Sequence, residues 1–127
     1  SPKAAREVCH ALKGMEIEKA KSYLERVMDL DQAVPFKRHD GKVGHRKGKG
    51  ISSGRYPVKT AAAILKIIES AGNNVEAIHI DIENWRIVHI ATSRGVSFEG
   101  RFPRARGRAT PKMRESANIE VVLEEIK

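Results

Sequence analysis

The sequence predicts an α+β fold: about three helices packed on a small antiparallel sheet, with a long projecting β-hairpin arm. Three observations predict it. Helical apolar spacing recurs in three stretches before residue 73. Two β-rich runs, Trp85 to Ala91 and Ile119 to Ile126, can pair antiparallel. An arginine-rich segment too polar to build a core joins those two runs. With 127 residues and 40% hydrophobic content, the chain suits one compact domain over 1–127.

Ser1-Pro2 reads as an N-cap followed by proline at the first helical position, and Ala5, Val8 and Leu12 continue at helical spacing. Gly14 is the stop. A second amphipathic helix is predicted from about Glu16 to Leu30, with Ile17, Ala20, Leu24, Val27 and Met28 on one stripe. Residues 37–56 then form a basic, glycine-rich stretch with no sustained period, expected to be a long loop of the kind that is functional or disordered. Pro57 restarts a helix whose stripe is Val58, Ala61, Ala62, Leu65 and Ile68, with Gly72 predicted to end it near Asn73-Asn74. Ile78, Ile80 and Ile82 alternate with His79, Asp81 and Glu83 ahead of the β-rich run from Trp85 to Ala91, which predicts one or two strands here. If residues 94–114 fold back as a ribbon, each side reaches ~30 Å. A domain of this length has a radius of gyration near ~14 Å, so the arm must project. Gly100, Pro103, Gly107 and Pro111 are expected to keep the ribbon narrow and to break regular pairing near its tip.

Charge divides the chain along the same lines. The net charge is +8, yet residues 37–59 alone carry +7 and residues 94–114 carry +6, leaving a body at −5. Two such segments repel each other unless a polyanion lies between them. Six of the seven basic residues of the arm are arginine, whose planar guanidinium can bridge phosphate oxygens and stack on bases. The central loop mixes lysine with glycine and has Phe36 and Tyr56 at its ends. Self-repulsion and scarce apolar area predict that residues 97–112 are mobile in the free protein and ordered only on their partner.

Catalytic chemistry has no footing. The chain has no P-loop, dinucleotide glycine fingerprint or nucleophile elbow. His39, Asp40 and His45 lack a further ligand at a recognisable metal spacing, so neither a metal nor another cofactor is expected. Cys9 and His10 are helix neighbours that do not share a face, which leaves Cys9 as a packing residue. His79 and His89 read as hydrogen-bonded structural histidines, and Trp85 as a core or rim anchor. The single cysteine fits a reducing compartment, and no run approaches the ~18 apolar residues of a membrane span, so a cytoplasmic home without membrane or small-molecule partners is expected.

The segments SPKAAREV, VPFKRHDGKVGHR, GRYPVKTA, RIVHI, RFPRARGRATP and IEVVLEE, in this order over essentially the whole chain, resemble the ribosomal large-subunit protein L22 family, in its archaeal and eukaryotic branch. The resemblance implies an α+β body on the outer face of the large subunit and a hairpin running inward through ribosomal RNA to the peptide exit tunnel. Its partners would be large-subunit rRNA, neighbouring ribosomal proteins and the nascent polypeptide. Together with the charge map it makes Lys3, Arg6, Lys37, Arg38, Lys42, His45, Arg46, Lys47, Lys49, Arg55, Tyr56, Lys59, Arg94, Arg101, Arg104, Arg106, Arg108, Lys112 and Arg114 the expected rRNA contacts. Phe102, Pro103, Arg104, Ala105, Arg106, Gly107 and Arg108 would form the tunnel-lining tip. The family usually has residues before the Ser-Pro helix, including a strand, and places a helix end and turn where the Ile78 to Ile82 alternation suggests a strand. The competing reading from residues alone is an architectural DNA-binding protein whose basic arm enters a minor groove.

Overall fold

A computed structural model of the chain describes residues 1–78 and 84–126. Its elements are α1 (Pro2–Leu12), α2 (Ile17–Met28), β1 (Val34–Pro35), β2 (Gly54–Arg55), α3 (Val58–Ile78), β3 (Trp85–Pro103) and β4 (Ala109–Glu125), with a single 3₁₀ turn, Ala105–Gly107, between the last two strands. The α+β class is as predicted. Pro2 opens α1, and the Ser1 carbonyl accepts the first bond, from Ala5 N, although the Ser1 hydroxyl makes no capping bond. After Leu12 the backbone turns through Gly14 at φ +86°, a left-handed conformation that glycine adopts without strain.

The core lies between the three helices and the base of the β3–β4 ribbon. Leu12, Ile17, Leu24, Ile64, Ile68 and Ile87 are fully buried there, with Ile119, Val121 and Leu123 packed against them from β4. The α1–α2 connection is clipped to β3: Gly14 N donates to the Ile87 carbonyl at 2.9 Å and Ile87 N to the Met15 carbonyl at 2.8 Å. That clip occupies backbone groups on a strand edge that would otherwise be free to pair with another chain.

Four details differ from the sequence reading. Helix α3 does not end at Gly72; it continues to Ile78, and Gly72 is buried within its inward stripe. That stripe is Ala61, Ile64, Ile68, Gly72 and Val75, rotated from the predicted one, so that Val58 is exposed and Ala62 and Leu65 lie at its margin. The anchor at Val75 extends the helix past the glycine, outweighing the ~1 kcal/mol that an interior glycine costs. The basic loop is not without regular structure, because β1 and β2 pair across it, Val34 with Arg55 and Pro35 with Gly54. Finally, the prolines do not break the arm: the ladder runs to Pro103 opposite Ala109, with Pro111 opposite Arg101. Within the Ile78 to Ile82 alternation, Ile78 belongs to α3, and residues 79–83, His79 among them, lie outside the described residues.

The irregularities of the ribbon sit lower, between Ile87 and His89 and between Arg94 and Ser97. The first decides the core. Strict alternation cannot turn Ile87 and Ile90, three residues apart, to one face, but one extra residue in β3 does so, and both are buried.

Because Ile87 is inaccessible and packed on all sides, Ile87→Ala is expected to destabilise the fold by about 3 kcal/mol. Val122→Ala, on the half-exposed outer face of the same ribbon, should cost about 0.5 kcal/mol or less. Urea unfolding of the two variants checks the contrast.

Candidate nucleic-acid interface

The basic loop is held by an acid. Glu7 lies on α1 with Ala4 and Ala11 one turn to either side, only 2% exposed. Its carboxylate accepts three backbone bonds from the start of the loop: Lys37 N to Oε2 at 2.8 Å, and Arg38 N and His39 N to Oε1 at 3.1 and 3.2 Å. Burial raises its pKa, but the three amides and the nearby His39 ring lower it further, and the net displacement is downward. Glu7 therefore fixes the loop through backbone and leaves the Lys37 and Arg38 side chains exposed to solvent.

Farther along, the loop folds on itself. Phe36 N donates to the Ser53 carbonyl, Arg46 N to Ser52 and Gly54 N to Gly44, while His45 bridges Ser53. Gly54 is closely approached: a Cβ there would lie 3.2 Å from the Val34 carbonyl oxygen and 3.3 Å from Arg46 Cγ, so a larger residue would push these neighbours by a few tenths of an ångström. Buried Phe36 and Val43 tie the loop to the core. Arg55 stands over the Phe36 ring at 5.9 Å and Arg46 over Tyr56 at 5.6 Å, contacts that preorganise guanidinium groups on aromatic faces.

Between the start of α1, the loop and the start of α3 lies an open cleft of about 830 Å³. Lys3, Arg55, Tyr56 and Lys59, four of the residues singled out from sequence, line it together with Phe36 and His39, and no acidic residue does among the described residues. Lys42, His45, Arg46, Lys47 and Lys49 are exposed along the neighbouring loop. Arg6 is not part of this grouping; it lies on the other side of α1, beside His10, Lys13 and the Ile90 to Thr92 segment.

The arm carries the second group. Arg101, Arg104, Arg106, Arg108 and Arg114 are all exposed, and Lys112 is half-buried because its Nζ sits 4.7 Å from the Phe102 ring centroid. Arg104 approaches the same ring at 5.8 Å and donates from Nε to the Thr110 hydroxyl at 3.2 Å. At the tip Arg106 and Gly107 both have left-handed backbone, φ +60° and +70°, which turns the chain and projects Arg106 outward. Arg94, nearer the base, faces Glu115 at 3.7 Å and is the one predicted arm contact with an ion-pair partner among the described residues.

Cys9, His89 and Trp85 each make contacts within the fold. Cys9 is buried in the core, and burial pushes its thiol up to about 11. His89 bonds Glu120 across the ribbon at 2.9 Å, and Trp85 packs at the rim of the core. Among the described residues no cluster of three or more His, Cys, Asp or Glu side chains could hold a metal ion, and no helix is long and apolar enough to cross a membrane. The residue that sequence reasoning missed is Glu7; its signal was an acid framed by alanines at i−3 and i+4 on an otherwise apolar helix face.

The chain is thus a folded α+β body that displays most of its cations on a backbone-anchored loop and on a projecting ribbon. The sequence model of the family described as Ribosomal protein L22p/L17e matches residues 1–124. The chain is 49% identical over 126 residues to the large ribosomal subunit protein uL22 of Methanosphaera stadtmanae, covering 98% of this chain and 82% of that protein. The protein of the same name from Methanocaldococcus jannaschii is also 49% identical, covering 98% and 81%. That from Ignicoccus hospitalis is 42% identical over 130 residues, covering 99% and 82%. The chain belongs to the ribosomal protein L22p/L17e family.

Glu7→Gln replaces one acceptor oxygen with an amide that faces a backbone N–H, and is expected to cost about 2 kcal/mol at pH 7. Because the native pKa is lowered, this contribution is complete above the ordinary value of 4.5 and is lost as pH falls through the native value. Urea unfolding of both proteins should therefore show a gap at pH 7 that narrows at pH values below 4.5.

Proposed function

We propose that this protein is a non-catalytic structural constituent of the large ribosomal subunit that binds and organises its rRNA, with the arm reaching into the peptide exit tunnel. Its family and relatives named as large-subunit proteins support the structural role. The observation that carries rRNA binding is the display of cations: nearly every basic residue of the loop and arm is exposed and free of a carboxylate, while the loop is held by backbone bonds to Glu7.

The proposed mechanism is counterion replacement. Lys and Arg side chains displace ions condensed on RNA phosphates, the cleft offers Tyr56 and Phe36 beside Lys3, Arg55 and Lys59, and the narrow ribbon enters crevices between RNA helices. Shape and phosphate are read more than base sequence. The tip, Phe102 to Arg108, would border the nascent polypeptide, and the body would meet neighbouring ribosomal proteins.

If about half of the thirteen excess charges engage, log K against log salt should have a slope on the order of −5 for large-subunit rRNA. A slope near zero would overturn the phosphate-dominated reading. Cosedimentation with subunits reconstituted from stripped rRNA should show stoichiometric incorporation of the intact chain at salt that removes nonspecific binders, with duplex DNA competing poorly. In the free protein, amides of residues 97–112 should exchange with solvent rapidly and become protected on RNA; protection without RNA would show that the arm holds its shape alone.

A further inference from the structure

The two faces of the arm differ in chemistry, and we propose that the face bearing Phe98, Phe102, Lys112 and Arg114 receives unpaired RNA bases, stacked on the rings with their phosphates held by the cations. The inference rests on the rRNA-binding reading above and narrows it to a ligand class: single-stranded or bulged nucleotides rather than duplex backbone.

Between Ser97 and Pro103 the ladder has no register shift, so side chains alternate strictly and opposed residues share a face. One face presents Ser97 with Glu115, Glu99 with Met113, Arg101 with Pro111 and Pro103 with Ala109. The other presents Phe98 with Arg114, Gly100 with Lys112 and Phe102 with Thr110. Lys112 reaching the Phe102 ring at 4.7 Å is the diagonal contact that a shared face allows. The first face carries two acids against Arg101, and Glu115 also draws Arg94 towards it. The second carries no acid at all, and Arg104 adds a third cation beside Phe102.

On this second face the residues Phe98 and Phe102 are 61% and 44% exposed. Gly100 between them contributes no side chain, so the Lys112 chain lies across the ~13 Å from one ring position to the other, its Cδ 4.0 Å from where a Gly100 Cβ would stand. A duplex backbone would use the cations and leave both rings in water. An apolar protein surface would cover the rings but bury Lys112 and Arg114 without a counter-charge. Unpaired nucleotides satisfy both, because every base has a π-face and carries its phosphate alongside.

The test measures the affinity of the full chain and its variants for stripped large-subunit rRNA, for a short unstructured RNA oligonucleotide and for a duplex RNA of equal length. Phe98→Leu with Phe102→Leu keeps apolar area and removes the rings; it should weaken binding to the unstructured RNA about tenfold or more while leaving the duplex affinity and the salt slope in place. Met113→Ala, on the opposite face at the same height, should change the unstructured-RNA affinity by less than about twofold. Lys112→Ala should lose more than Arg101→Ala, although each removes one charge. An unchanged thermal midpoint, which reports the body, confirms that the variants fold. Equal losses for Lys112→Ala and Arg101→Ala, or wild-type affinity in the leucine double variant, would overturn the two-faced arm while leaving rRNA binding intact. Failure of the unmodified chain to bind the rRNA would overturn both.

Discussion

The positive charges in excess over residues 37–59 and 94–114 repel one another, and each segment is held in place with few of its cations neutralised by protein carboxylates among the described residues. In the loop the answer is Glu7. A single buried carboxylate attracts the loop electrostatically, yet it is satisfied by the amides of Lys37, Arg38 and His39, so the attraction costs no basic side chain. Phe36 and Val43 supply the apolar contacts the segment lacks elsewhere, and the β1–β2 pairing closes its ends. The −5 body thus concentrates one of its acids where it organises charge instead of cancelling it.

The arm meets the same requirement differently. Its ladder is continuous from the core outward, so the base of the ribbon is fixed by Ile87, Ile90, Ile119, Val121 and Leu123 while the distal part depends on cross-strand pairing. Ion pairs are confined to the lower ribbon, Arg86 with Glu124, His89 with Glu120 and Arg94 with Glu115. Beyond Ser97 two of the cations, Arg104 and Lys112, instead contact the Phe102 ring, which orders them and leaves their charge available. Neutralised at the root and unneutralised at the tip, the ribbon has a positive charge that rises with distance from the body.

Much of this was legible in the chain. Helical spacing located α1 and α2, the two β-rich runs paired as their composition required, and the charge map marked both basic extensions. What escaped was set by tertiary contact. Gly72 reads as a stop because local propensity cannot anticipate that Val75 finds a core position beyond it. Ile87 and Ile90 conflict with alternation unless a bulge is inserted, and nothing local announces one. Glu7 is an ordinary acid in an amphipathic helix until three amides from thirty residues away close on it. The L22 resemblance, not the charge, distinguished a ribosomal protein from an architectural DNA binder, because phosphate contacts look alike from the side of an arginine.

Cys9 has a practical consequence for chemistry on this molecule. The thiol is buried at the edge of the core, 4% exposed, and burial pushes its pKa up to about 11, so at neutral pH almost none of it is thiolate and little of it is accessible. The folded chain is accordingly expected to react slowly with maleimides and mild oxidants. A second cysteine introduced at the tip would be the sole reactive handle, and fluorophores or spin labels could be attached there with the wild-type core untouched.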